Sequence, residues 1–107
     1  MKYQVVLLED AENDIFDICR HILENDSEQP AEYVLDNLEE VCSSLNQLPL
    51  RGHIPPELRR ISVTRYREIH FKPYRTIYEV EGKRVYVHCV LDGRRHLQQL
   101  LERRLIR

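Results

Sequence analysis

Apolar positions recur along this chain in two rhythms, a helical one in the first half and in the last dozen residues, and an alternating one in between. The chain opens on Tyr3 to Leu8 (YQVVLL), a short β-branched and aliphatic run that predicts a strand. From Ala11 to about Glu24, Ile15, Ile18, Cys19 and Ile22 share one face of an amphipathic helix, with Glu12, Asp14, Asp17 and Glu24 largely on the wet side. Asn25 to Pro30 supplies capping residues and a proline suited to a first helical turn, so one helix ends there and another starts. The second helix repeats the spacing through Val34, Leu38, Val41, Cys42, Leu45 and Leu48, and Pro49 ends it. The pair predicts a helical hairpin.

Leu50 to Arg60 holds Gly52, Pro55 and Pro56 and no sustained period, which predicts a connecting loop. Ser62 to Phe71 then alternates, with Tyr66, Glu68 and His70 on one side and Arg67, Ile69 and Phe71 on the other. Tyr74 to Glu81 and Arg84 to Leu91 flank a tight turn at Gly82 and form an antiparallel pair. In the last strand Val85, Val87, Cys89 and Leu91 point one way and Arg84, Tyr86, His88 and Val90 the other, so one sheet face is helix-covered and the other more polar. Asp92-Gly93 breaks this strand. From Arg94 to Arg107, Leu97, Leu100, Leu101 and Leu105 mark a short basic helix. The order predicts an α+β domain, residues 1–107, with a three-stranded meander that the first strand rejoins to make about four.

Length fits one modest core, and 42% hydrophobic with 32% charged residues argues for a globular chain over a disordered one. No basic stretch precedes an apolar run at the N-terminus, and no segment approaches a membrane span, which makes the cytoplasm the expected location. Cys19, Cys42 and Cys89 are an odd number, far apart, each on the apolar side of its element. They read as buried core thiols. With no Cys-x-x-Cys and no histidine at ligand spacing, neither a metal nor a cofactor is expected.

The net charge of −2 conceals a polarity. Residues 1–50 carry two basic groups against twelve acidic, whereas 51–107 carry fourteen against six. Either the halves attract each other, or the C-terminal half offers a cationic surface to phosphate or to an acidic protein segment.

Tyr66-Arg67-Glu68-Ile69-His70-Phe71, then Pro73-Tyr74-Arg75-Thr76-Ile77-Tyr78, then Val90-Leu91-Asp92-Gly93-Arg94-Arg95-His96-Leu97 together resemble the RelE/ParE toxins. The resemblance follows nearly the whole chain in element order and is sharpest over residues 65–101. It implies a growth-inhibiting toxin of a type II toxin–antitoxin system, held inactive by a cognate antitoxin. ParE-like members inhibit DNA gyrase, and RelE-like members cleave messenger RNA in the ribosome.

Cleavage by RNA's own 2′-hydroxyl requires a base, an acid and cations for the charge on phosphorus. By strand parity Glu68 and His70 share a face that Arg75 can join, with Tyr86 and His88 on the polar side of the last strand and Arg94, Arg95 and His96 beyond its end. The resemblance implies catalytic roles for Arg75, Arg95 and His70 if the chain is a metal-independent ribonuclease, with Glu68, His88 and His96 as weaker candidates. Arg75 could equally pair with Glu79 or Glu68, and His88 could be an ordinary strand histidine. No tyrosine follows Tyr86, whereas RelE-like enzymes commonly keep one in this segment. That departure favours the gyrase reading, with Arg94, Arg95, Arg103 and Arg104 as target-binding residues.

Overall fold

A computed structural model describes residues 2–106, and Arg107, the last residue of the predicted terminal helix, lies outside them. The elements are β1 (Gln4–Leu7), α1 (Glu9–Asn25), α2 (Glu28–Ser44), α3 (Pro56–Arg59), β2 (Tyr66–Phe71), β3 (Tyr74–Glu81), β4 (Arg84–Asp92) and α4 (Gln98–Leu105). The four strands form one sheet in the order β1-β4-β3-β2. The meander is antiparallel, and β1 returns to pair parallel with β4 on the outer edge, Gln4 opposite Arg84 and Leu7 opposite Val87. Gly82 turns the β3–β4 hairpin at a φ of 60°, a conformation glycine reaches without a steric penalty.

Local chemistry moves several predicted boundaries. Helix α1 starts at Glu9, ahead of Ala11, and Glu9, Asp10 and Glu12 in its first turn complement the positive end of the helix dipole. Helix α2 ends at Ser44, before the expected Pro49. The chain then turns through residues 45–47, with the Asn46 carbonyl accepting from Tyr3 beside β1. Inside the predicted loop, Pro56 opens the short helix α3. Strand β2 begins at Tyr66 and not at Ser62, because the preceding residues close α3. Ser62, at a φ of 62°, donates to the Arg59 carbonyl and Val63 to that of Leu58, the paired bonds of a left-handed C-terminal cap. Helix α4 begins at Gln98 and not at Arg94, since Asp92 holds the backbone N–H groups of Arg94 and Arg95 in a turn.

Helices α1 and α2 cover one face of the sheet, α1 over β4 and α2 over β2. Ile15, Leu38, Cys42 and Leu45 meet Ile69, Tyr74, Tyr78, Val85, Val87 and Val90 there. The opposite face, expected to be the more polar one, is also packed with apolar side chains: Leu58 of α3 and Leu97, Leu101 and Leu105 close over Tyr66, Ile77, Cys89 and Leu91. Along β4 the apolar stripe changes face part-way. A bulge does this: Tyr78 lies opposite Val87 and Ile77 opposite Cys89, leaving His88 as the extra residue. Val85 and Val87 therefore face the helical hairpin, while Cys89 and Leu91 face α3 and α4, so the predicted single alternation through β4 does not hold.

The layers also differ in charge. Glu12, Asp17, Glu24, Glu32, Asp36 and Glu40 are exposed on the hairpin, and Arg59, Arg60, Arg65, Arg94, Arg95 and Arg103 are exposed on the side of α3 and α4. The three cysteines are free; burial pushes the Cys42 thiol up to about 11 and the Cys89 thiol to about 12, which keeps them protonated packing groups. No helix among the described residues is long and apolar enough to cross a membrane.

Candidate functional site

The even-numbered residues of β2 point toward the α3–α4 side, so Tyr66, Glu68 and His70 line up on one face of an outer strand. The cross-strand pairing of His70 with Arg75 brings the guanidinium beside them. Glu68 is 1% exposed and sits at the centre of a network. Arg75 donates to it through Nε (2.6 Å to Oε1) and Nη2 (3.1 Å to Oε2). The same guanidinium donates in parallel to Glu57 of α3, Nη1 to Oε2 at 2.7 Å and Nη2 to Oε1 at 2.8 Å. One arginine thus bridges two carboxylates, a fork geometry that lysine cannot supply.

Two imidazoles complete the shell of Glu68. His70 Nε2 lies 2.9 Å from Oε1, and His53 Nε2 lies 2.9 Å from Oε2. His53 arrives from the connection after α2, where its backbone exchanges two hydrogen bonds with that of Glu68 and extends the sheet by one bridge. Gly52 makes this approach possible: a β-carbon there would come within 2.5 Å of the Glu68 carbonyl oxygen and 2.6 Å of the Tyr78 hydroxyl. The Gly52 N–H instead donates to that hydroxyl at 3.1 Å.

Electrostatics follow the geometry. The hydrogen bonds from Arg75 hold the Glu57 carboxyl below the usual range against a smaller opposing push from burial. Burial acts on Glu68 in the opposite direction and more strongly than any single partner, yet the hydrogen bonds from Arg75 and His70 together bring its carboxyl below the ordinary value. Arg75 is raised, chiefly by Glu57. At neutral pH the trio Glu57, Arg75 and Glu68 carries one net negative charge.

His70, Arg75 and Glu68, expected together from strand parity, are together. A cleft of about 260 Å³ runs from His70, Lys72 and Arg75 to Gly93 and Arg94, but Arg95 does not line it. Arg94 lies along Asp92, with Nη2–Oδ2 at 2.7 Å. Arg95 and His96 are exposed in the turn before α4, and Arg103 is exposed on that helix. Neither Arg95 nor Arg103 makes an ion pair among the described residues. Arg104 faces inward, clasping Asp14 of α1. His88, the bulge residue, rests 3.1 Å from Glu79 and edge-on to Tyr66.

Sequence reasoning missed Glu57 and His53. Both lie in the segment read as loop, where no periodicity marks a direction; the proline at the start of α3 was the available sign that Glu57 belongs to a fixed element.

A family model described as the ParE toxin of the type II toxin–antitoxin system parDE matches residues 5–97. Among solved structures, the chain is similar to one from the chromosomal ParDE system of P. aeruginosa, at 18% identity and a TM-score of 0.69, over 83% of this chain and 94% of that one. It is similar also to one from the toxin–antitoxin complex RelBE2 of Mycobacterium tuberculosis, at 19% identity and a TM-score of 0.63, over 86% and 92%. At these identities the likeness is one of fold. No curated protein sequence matches the chain.

Proposed function

This chain belongs to the ParE toxin family of type II toxin–antitoxin systems, and from that premise we propose that it arrests growth by binding DNA gyrase and not by cutting RNA. The observation that carries the choice is the state of Arg75. A ribonuclease that uses the 2′-hydroxyl needs an uncommitted cation where charge builds on phosphorus. Arg75 commits one side of its guanidinium to Glu57 and the other to Glu68, and the two carboxylates leave the trio anionic. A scissile phosphate meets repulsion there. The missing tyrosine after Tyr86 supports the same reading.

A protein target needs a contact surface, and the turn and helix from Arg94 to Ile106 offer one. Arg95 and Arg103 stand free on it, and Arg94 is largely exposed. Arg104 serves the fold instead, and its expected part in target binding passes to these three.

The second partner is a cognate antitoxin, as in the toxin–antitoxin complexes this fold resembles. Phe16, Leu23 and Tyr33 stand exposed on the hairpin, with Leu48 and Leu50 after α2, and a segment that orders on binding can cover such dispersed apolar positions. Gyrase and its DNA place the site of action in the cytoplasm.

The test is to assay one purified preparation in parallel for gyrase supercoiling and for messenger cleavage on programmed ribosomes. Loss of supercoiling without cleavage is expected. Cleavage with gyrase unaffected overturns the proposal in favour of the ribonuclease reading.

A further inference from the structure

We propose that His53, Glu68 and His70 form a binding site for one divalent transition-metal ion, with Zn²⁺ the best match. The inference does not depend on the identity of the toxin's target. One ligand atom from each residue lies within 4.8 Å of the other two. Around a tetrahedral Zn²⁺ with bonds of about 2.0–2.1 Å, ligand atoms stand roughly 3.3 Å apart. The three ligand atoms are therefore close enough to share one ion, with the two imidazoles as the side chains that adjust. Those rings cross edge to face with centroids 5.4 Å apart, and their side chains are 60% and 39% exposed, which leaves them room to turn.

The rest of the cluster holds still. Glu68 is fixed by Arg75, which is fixed in turn by Glu57, so the carboxylate has the hydrogen-bonded support that metal-binding carboxylates require. His53 is tied to β2 by its two backbone hydrogen bonds. Without an ion, each imidazole Nε2 already sits at hydrogen-bond distance from a different Glu68 oxygen. A metal ion takes the place of the shared protons, using the same nitrogens.

Access and charge agree with this. A cleft of about 300 Å³, lined by Arg51, Gly52, His53, Glu68, Ile69 and His70, opens on the cluster and leaves space for water in the fourth position. Glu57 offsets Arg75, which leaves the charge of the Glu68 carboxylate to an incoming cation, opposed by the Arg51 side chain that lines the cleft. Two nitrogens and one oxygen suit Zn²⁺ and its neighbours; Ca²⁺ and Mg²⁺ require six or more ligands, mainly oxygen. Arg75 draws on both Glu68 oxygens, which makes the carboxylate a poorer donor and the site weaker than a closed structural zinc site. Occupancy staples the Gly52–His53 segment to the outer strand β2.

The experiment uses tag-free protein, stripped with chelator and shown to be folded by circular dichroism. Co²⁺ is titrated for the visible bands of a low-symmetry site, and Zn²⁺ by calorimetry. One equivalent of Zn²⁺ should bind, displace Co²⁺ and raise the thermal midpoint. His53→Ala and His70→Ala should each lower Zn²⁺ affinity by at least about tenfold, the smallest loss usual even for residues that only support a ligand. His21→Ala, an exposed histidine on α1, should leave it unchanged. Absence of stoichiometric binding to folded protein overturns the proposal, as does an affinity indifferent to both His53→Ala and His70→Ala.

Discussion

Asp14 and Arg104 lie 90 residues apart in sequence and 2.6 Å apart in space, and their ion pair joins the helical layers on the two sides of the sheet. Strand β1 ends at Leu7, so among the described residues no strand lies along the outer edge of β4 beyond Val87. Asp14 takes over there by accepting from the Val90 N–H at 3.0 Å. One carboxylate thus closes a sheet edge and anchors the terminal helix.

Removing Asp14 should therefore cost more than removing Arg104. Asp14→Ala strands both the Val90 N–H and a partly buried guanidinium, and should lower stability by about 2–4 kcal/mol in urea unfolding. Arg104→Ala keeps the Val90 bond and should cost about half as much. Equal losses would show that the backbone bond contributes nothing.

Arg75 should behave as a structural cation. Arg75→Met leaves the carboxylate of Glu68 buried without its main partner, at a cost of about 3–5 kcal/mol, and Arg75→Lys should restore little of it. Replacing Glu57, Glu68 and Arg75 together by apolar residues of similar volume should recover most of the loss, because no charge is then left buried. A wild-type urea midpoint for Arg75→Met would refute this account.

Glu57 should add to acid sensitivity. Its carboxyl is held below the ordinary value by Arg75, with Arg60 also facing it, and burial opposes that effect. A depressed folded value means that its stabilisation is complete above the unfolded glutamate value of about 4.3 and is lost as pH falls through the lower, folded one. Between about pH 6 and pH 3 the wild-type urea midpoint should fall more steeply than that of Glu57→Gln. Glu68 and Asp92 titrate in both proteins, so parallel curves would remove Glu57 from the account.

Exposed Arg95 and Arg103 should separate binding from folding. Their joint replacement by alanine should leave the thermal midpoint nearly unchanged, as surface substitutions do. At up to about 1 kcal/mol for each exposed ionic contact, it should raise the concentration needed to block gyrase by roughly 2- to 30-fold. Unchanged inhibition would place the target surface elsewhere.

Apart from α3, the element order was legible because long helical and alternating rhythms report burial directly. Glu68, His70 and Arg75 were legible as neighbours because parity and a short β2–β3 connection leave little freedom in their register. The second core was not. Val85, Val87, Cys89 and Leu91 read as one uninterrupted stripe, and only the extra residue at His88 divides that stripe between two layers. Glu57 and His53 escaped for a different reason: their positions depend on tertiary contacts, Gly52 against Tyr78 and Leu58 beneath α4, that no local pattern encodes.

The opposed charges of the two helical layers give the formal charge of −2 little bearing on what the molecule attracts. Even its shortest dimension, 21 Å, exceeds two screening lengths at physiological ionic strength, about 8 Å each. An acidic segment near α4 feels the arginines there and almost nothing of the carboxylates on the far side. In dilute salt near 0.01 M, where screening reaches about 30 Å, the two faces merge and the same segment meets a weak anion. Ionic strength thus decides whether a partner meets one face or the whole protein.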